Sequence, residues 1–141
     1  MNVLVAYESR SGHTRQAAEA IAVAARKLGY EAVVKPVSEV RTQDVQKANA
    51  LFIGTWVSGL VVFGARPAGA RKWVPALPSL KGKPTAVFCT YAFNPRGALK
   101  ALSTMLEARG ATILGNESFS RSQPGAGAEK FVRSVLAPVA A

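Results

Sequence analysis

The chain has 141 residues, 49% of them hydrophobic and 18% charged, which fits a single domain over residues 1–141 with a sizeable core. Eighteen Lys and Arg face eight Asp and Glu, so the formal net charge is +10 and we expect a basic surface. No apolar run reaches the roughly 18 residues of a membrane span, and the start of the sequence lacks the basic n-region of a signal peptide, so we expect a cytoplasmic protein. Cys89 is the only cysteine, so an intrachain disulfide is excluded.

Short apolar runs alternate along the chain with segments of helical spacing. In chain order we predict a strand at 3–6, a helix around 18–25, a strand at 32–34, a short helix at 42–48, a strand at 50–53, a short helix at 69–77, a strand at 85–89, a helix after Pro95, a strand at 111–114 and a helix from Ala128. Gly29 and Gly110 are the expected stops of two helices, and Pro138 is expected to close the last one.

This alternation predicts an α/β fold with three layers. The predicted strands are short apolar runs without polar alternation, as expected when helices cover both faces of a sheet. Strands that alternate with helices form parallel sheets through right-handed crossovers. Ligands of such doubly wound sheets bind beyond the carboxyl ends of the strands. Three loops, 8–14, 55–66 and 90–97, should therefore carry the function.

The first of these loops has the composition of a phosphate site. Three hydroxyl side chains and a glycine occur within six residues, Ser9-Arg10-Ser11-Gly12-His13-Thr14, at the start of a predicted helix. Backbone N–H groups at a helix N-terminus suit a phosphate dianion, and glycine lets the ligand approach the backbone. The alternative is an ordinary helix cap, because Ser and Thr are common there.

Residues 7–17 resemble the FMN phosphate loop of flavodoxins, which reads Ser/Thr-x-Thr/Ser-Gly-Asn-Thr after the first strand. Ser9, Ser11, Gly12 and Thr14 match this pattern, whereas His13 replaces the usual Asn and Arg10 adds a cation. The order of elements is similar to that of a short-chain flavodoxin over nearly the whole chain. The resemblance implies the strand order 2-1-3-4-5, non-covalently bound FMN and electron transfer between redox proteins.

The second loop begins Thr55-Trp56-Val57-Ser58-Gly59. Trp56 matches the position where flavodoxins stack an aromatic ring on the isoalloxazine, although a Trp that caps the core is the alternative. The resemblance implies that Ser58-Gly59 is the peptide that turns over on flavin reduction, while Val57 departs from the family pattern. The apolar run Leu60–Phe63 either packs inward or forms a docking patch.

The third loop reads Thr90-Tyr91-Ala92-Phe93-Asn94. The resemblance implies that its backbone contacts the pyrimidine end of the flavin and that Tyr91 or Phe93 supplies a second aromatic ring. Asn94 either binds the flavin through its amide or caps the helix that follows Pro95. Cys89, at the end of the predicted strand, is either a small core residue or a redox group.

Two functions remain open at this point. The first is a one-electron FMN carrier, and the second is an FMN-dependent NAD(P)H or quinone reductase of flavodoxin-like fold. The chain lacks an obvious insertion for a substrate pocket, which favours a monomeric carrier. Basic residues flank the three loops, which predicts redox partners with acidic docking faces: Arg10, Arg15, Arg66, Arg71 and Arg96. Scattered basic residues do not predict nucleic-acid binding.

Overall fold

A computed structural model of the chain describes residues 1–57, 67–92, 95 and 97–140. Within these ranges, five strands alternate with five helices: β1 (Asn2–Tyr7), α1 (His13–Lys27), β2 (Glu31–Pro36), α2 (Thr42–Lys47), β3 (Ala50–Trp56), α3 (Ala70–Trp73), β4 (Pro84–Tyr91), α4 (Ala98–Ala108), β5 (Thr112–Ser120) and α5 (Ala128–Ala140). A 3₁₀ turn, Val37–Glu39, links β2 to α2. None of the helices in these ranges is long and apolar enough to cross a membrane.

The strands form one parallel sheet in the order β2-β1-β3-β4-β5, which confirms the predicted fold class. Tyr7, at the end of β1, lies opposite Pro36 of β2 and Gly54 of β3. The chain runs outward from β1 in both directions, so the order reverses between β1 and β3. Ligands of doubly wound sheets bind at such a switch point, and the first two loops start there.

Two apolar clusters cover the two faces of the sheet. On one face α1 and α5 pack on alternate residues of the central strands, with Phe52, Phe88, Phe119 and Phe131 in the cluster. On the other face α2, α3 and α4 contribute Val45, Ala70, Leu102 and Leu106, which pack on Leu4, Leu51, Ile53 and Val87. The arrangement is the predicted three-layer sandwich, in which burial of both faces explains the apolar strands.

The edge strands differ from the prediction. β3 and β4 are buried along almost their whole length, whereas β2 and β5 consist of exposed and half-buried residues, apart from the buried Phe119 of β5. β5 extends to Ser120, six residues beyond the predicted end, because its polar residues 115–118 continue the pairing with β4. An edge strand such as β5 needs fewer apolar residues than a central strand, so a prediction from the apolar run alone gave too short a strand.

Two predicted helix ends are wrong. α3 ends at Trp73, and residues 74–77 continue as turns, because Pro75 has no N–H to extend the helix. Pro138 lies inside α5, which continues to Ala140. Proline at this position lacks the N–H that would bond the carbonyl four residues earlier, so the helix continues past it with one hydrogen bond fewer. Gly29 and Gly110, with φ of +92° and +97°, follow α1 and α4 as predicted.

Gly54 of β3 lies directly against the buried ring of Phe88. A Cβ at residue 54 would come within 2.3–2.5 Å of three ring carbons, so the Gly54→Ala variant must displace a fully buried aromatic ring. We expect the free energy of unfolding to fall by about 1–3 kcal/mol in urea denaturation.

Gly115→Ala is the matched control in β5, because its Cβ would meet only Val135 Cγ2 at an ordinary 3.5 Å. We expect a change of no more than about 0.5 kcal/mol there. Equal unfolding free energies for the two variants would contradict the packing described for Gly54.

Candidate functional site

The carboxyl ends of β1, β3 and β4 bring parts of the three predicted loops to one edge of the sheet. Residues 8–14 follow β1, residues 55–57 end β3 and lead out of it, and residues 90–92 do the same for β4. The predicted site residues Ser58, Gly59, Phe93 and Asn94 lie outside the described residues, as do Leu60–Phe63, Arg66 and Arg96. Their roles stay predictions.

The first loop leads into α1 through a left-handed glycine. Gly12 has φ of +92° and is the N-cap residue of α1, with no side-chain cap in the described structure. Ser9 Oγ accepts a hydrogen bond from the Gly12 N–H at 3.0 Å, and Ser11 Oγ lies 2.9 Å from His13 Nδ1. A Cβ on Gly12 would meet nothing within 4 Å. The Ser9 and Ser11 hydroxyls thus hold the turn of the loop itself, and no described side chain caps the first N–H groups of α1.

The Thr14 side chain contacts Thr90 in the structure, whereas the sequence pattern suggested that it contacts a phosphate. Its side chain is buried, and its Oγ1 lies 2.7 Å from Oγ1 of Thr90, the last fully buried residue of β4. The Thr90 carbonyl accepts a hydrogen bond from the Val57 N–H at 2.9 Å. Thr90 therefore links all three loops at their bases. Contact between the Thr14 hydroxyl and a phosphate stays a prediction.

Glu8 is a residue of this edge that the sequence reasoning missed. Its Oε1 accepts hydrogen bonds from Thr55 Oγ1 at 2.6 Å and from the Gly69 N–H at 3.0 Å. The Glu8 N–H in turn donates to the Gly54 carbonyl at 2.9 Å. Glu8 thereby joins β1, β3 and the start of α3. An acid directly after a buried strand was a signal of such a role, since it must find donors there.

Trp56 lies at the end of β3 and is half-buried. The guanidinium carbon of Arg10 lies 5.5 Å from the centre of the Trp56 ring, a cation–π contact between the first and second loops. Arg10 itself is exposed. Arg10, a residue that the flavodoxin pattern lacks at this position, thus contacts the aromatic side chain of the second loop.

The third loop leaves β4 at Tyr91, which is half-buried, and continues to the exposed Ala92. The Tyr91 carbonyl accepts a hydrogen bond from the Arg121 N–H at 2.9 Å, so the end of β5 supports this loop. Tyr91 lies opposite Ser120 in the register and Trp56 lies opposite Thr90. Two partly exposed aromatic side chains therefore stand at the ends of adjacent strands.

Cys89 belongs to the core rather than to this edge. Its side chain is buried, and burial, together with the nearby carboxylate of Glu117, raises the pKa of the thiol from 9.0 to about 12. A thiol that stays protonated is a poor nucleophile and a poor metal ligand. No group of three or more His, Cys, Asp or Glu side chains in the described part of the chain is placed to hold a metal ion.

Comparisons with known proteins agree with this architecture. A sequence model of flavodoxins matches residues 5–133. The chain is similar in structure to two-electron reduced flavodoxin from Megasphaera elsdenii, with a TM-score of 0.80, 21% identity and 99% of each chain covered. Flavodoxin 2 from Bacillus cereus gives a TM-score of 0.75 at 20% identity, with 96% of this chain and 97% of that chain covered. A mutant of flavodoxin from Pseudomonas aeruginosa gives a TM-score of 0.77 at 17% identity, with 100% of both chains covered. No curated protein matches the chain by sequence.

The raised pKa of Cys89 has a consequence for stability at alkaline pH. The folded protein holds the thiol proton more tightly than the unfolded chain. The stabilising contribution of the protonated thiol is therefore complete below the ordinary pKa of 9.0, and it is lost as the pH rises towards the folded pKa of about 12. Between these values, the unfolding free energy of the wild type should fall more steeply with pH than that of Cys89→Ala.

The difference in slope should approach at most about 1.4 kcal/mol per pH unit, measured by urea denaturation at a series of pH values. Tyr and Lys residues titrate in both proteins and therefore cancel. Parallel curves for the two proteins would show that Cys89 is not buried as described.

Proposed function

The chain belongs to the flavodoxin family, and we propose that it carries electrons between other redox proteins. Members of this family bind FMN, so the chain is an FMN-binding electron-transfer flavoprotein. The observation that best supports the carrier role is the placement of the first loop, Trp56 and Tyr91 at the same edge of the sheet, where Arg10 contacts the Trp56 ring. We also propose, from the sequence, that the protein is a cytoplasmic monomer.

The residues of the first loop fit the phosphate of FMN by the chemistry of their donors. The first turn of α1 contains no acidic side chain, and its N–H groups start after an uncapped glycine. Such groups, with the hydroxyls of Ser9 and Ser11 beside them, suit a dianionic phosphate. We propose that the phosphate lies against residues 9–14, with Ser9, Ser11 and the backbone of Gly12 and His13 as its main contacts.

Trp56 and Tyr91 are suited to hold the flavin ring. Both are flat, partly exposed and close to the switch point, and aromatic side chains gain free energy by stacking on other π-systems. FMN, when bound, supplies the one-electron chemistry, and the protein supplies binding, orientation and electrostatics. We propose that Trp56 covers one face of the ring and that Thr55, Val57 and residues 90–92 border it.

The side chains at this edge support a carrier better than a reductase. Among the described residues of this edge, the Glu8 carboxylate accepts hydrogen bonds from Thr55 and Gly69, and the His13 ring lies within hydrogen-bond distance of Ser11. A reductase that takes hydride from NAD(P)H or reduces a quinone needs a second binding pocket beside the flavin. The chain shows no obvious insertion in its sequence that would build such a pocket, and we therefore propose electron transfer as its activity.

The charges around this edge suit acidic partners. Among the described residues, those in or beside the three loops that carry positive charge are Arg10, Arg15, Arg71, Lys72 and Arg121. Arg15 pairs with Glu19 at 3.2 Å, whereas no ion pair among the described residues offsets the charges of Arg10, Arg71, Lys72 and Arg121. We therefore propose partners with acidic docking faces and complexes that weaken as salt is added.

A pair of tryptophan variants tests the placement of the flavin. Flavin fluorescence should be quenched in the wild-type complex and should recover in Trp56→Ala, with FMN bound about tenfold more weakly or worse. Trp73→Ala is the control, because Trp73 packs in α3 against the core. It should leave quenching unchanged.

The purified wild type should show a flavin spectrum and release FMN on denaturation. It should not oxidise NAD(P)H without a partner enzyme. Rapid NAD(P)H oxidation by the protein alone would favour the reductase, and persistent quenching in Trp56→Ala would place the stacking residue elsewhere.

Redox titration tests the electrostatic part of the proposal. Arg71 follows Gly69, which Glu8 holds at the functional edge, so Arg71→Glu should make the second flavin reduction harder. We expect the midpoint potential to fall by some tens of millivolts, on the order of 1 kcal/mol. Lys81 lies in the turn before β4, at the opposite edge of the sheet. The control variant Lys81→Glu should therefore leave the potential unchanged. Equal shifts in both variants would contradict a local effect.

A further inference from the structure

Arg10 contacts the ring of Trp56 in the structure, although its backbone belongs to the loop proposed to bind the phosphate. We propose that Arg10 exchanges the Trp56 ring for the phosphate of FMN, so that the phosphate uncovers the indole on which the flavin stacks. Arg10 would then select FMN over riboflavin, which has the same ring system and no phosphate. This inference rests on the proposed FMN site.

The position of Arg10 allows this exchange. The residues on either side of it are fixed by hydrogen bonds within the loop, Ser9 Oγ to the Gly12 N–H and Ser11 Oγ to His13. The Arg10 side chain is exposed and extends from this fixed turn. The backbone of Arg10 thus lies between two proposed phosphate contacts, so the exchange that we propose needs only rotation of a long, exposed side chain.

The charge of Arg10 is not neutralised by a carboxylate. The ion pairs found among the described residues are Arg15–Glu19, Lys27–Glu129 and Lys35–Asp44. The nearest acid in the sequence, Glu8, accepts hydrogen bonds from Thr55 and Gly69. The partner that the structure gives Arg10 is therefore an aromatic face.

The relative strengths of the two contacts favour the phosphate. A cation over an exposed aromatic ring changes an equilibrium by about two- to fivefold. A guanidinium bound to a phosphate by charge-assisted hydrogen bonds changes it by about tenfold or more, and the planar fork of Arg matches phosphate geometry. Arg10 should therefore leave Trp56 when a phosphate occupies the loop and stay on it otherwise.

Two flavins separate this role from a structural one. Arg10→Gln should weaken FMN binding about tenfold or more, because the phosphate loses a cation. Riboflavin binding should stay unchanged or become stronger, because Trp56 is no longer covered. A merely structural role for Arg10 would weaken both ligands alike.

Arg15→Gln is the matched control for this comparison. Arg15 lies in the first turn of α1, five residues after Arg10, and its guanidinium pairs with Glu19 on the helix surface. We expect this variant to change the affinity for each flavin less than about threefold. A loss of FMN affinity as large as that of Arg10→Gln would mean that general positive charge, and not Arg10, binds the phosphate.

Inorganic phosphate provides a second readout without any flavin. Added to the flavin-free protein, it should change the tryptophan emission of the wild type as Arg10 leaves the indole. The change should be absent in Arg10→Gln and in Trp56→Phe, and present in Trp73→Phe.

The outcomes distinguish this inference from the proposed function. Failure of the wild type to bind FMN would overturn both. FMN binding that is equally tight in Arg10→Gln, or a phosphate-induced emission change that persists in that variant, would overturn only the role of Arg10.

Discussion

The buried hydrogen bond between Thr14 and Thr90 holds the functional edge together. Both hydroxyls are withdrawn from water, so loss of either partner leaves a buried polar group without a hydrogen bond, at a cost of about 1–3 kcal/mol. The bond fixes the first turn of α1 to the end of β4, and the Thr90 carbonyl holds Val57 after β3. A ligand therefore meets loops whose bases are already ordered, and less conformational entropy is lost on binding.

Glu8 connects β1 to β3 and to the start of α3 at the same edge of the sheet. A carboxylate close to a phosphate would oppose the binding of an anion. Oε1 of the Glu8 carboxylate instead accepts hydrogen bonds from two groups of the protein, the Thr55 hydroxyl and the Gly69 N–H. Hydrogen bonds to a charged acceptor are stronger than those between neutral groups. The acid thus fixes the start of α3 while the cations beside it remain available to ligands.

The sequence predicted the sheet well and the side chains of the site only in part. Apolar runs such as Leu51–Ile53 place the central strands because both faces are buried, whereas the edge strand β5 lacks that constraint and was underestimated. The pattern Ser9–Thr14 identified the first loop, since its hydroxyls and glycine are close in sequence. The contacts of Glu8 with Gly69 and of Arg10 with Trp56 join residues more than 40 positions apart, and no local pattern encodes them.

The positive charge of this protein has two ranges of action. Arg10 acts at contact distance, where hydrogen-bond geometry lets it recognise one group of one ligand. Exposed residues such as Arg71 and Lys72 act through solvent, where salt weakens their field over about 10 Å at 0.1 M. A short-range cation changes which flavin is bound, and a diffuse field changes which partners approach and how easily the flavin accepts charge. Because salt weakens the second effect far more than the first, partner docking should respond to ionic strength while the choice of flavin stays nearly constant.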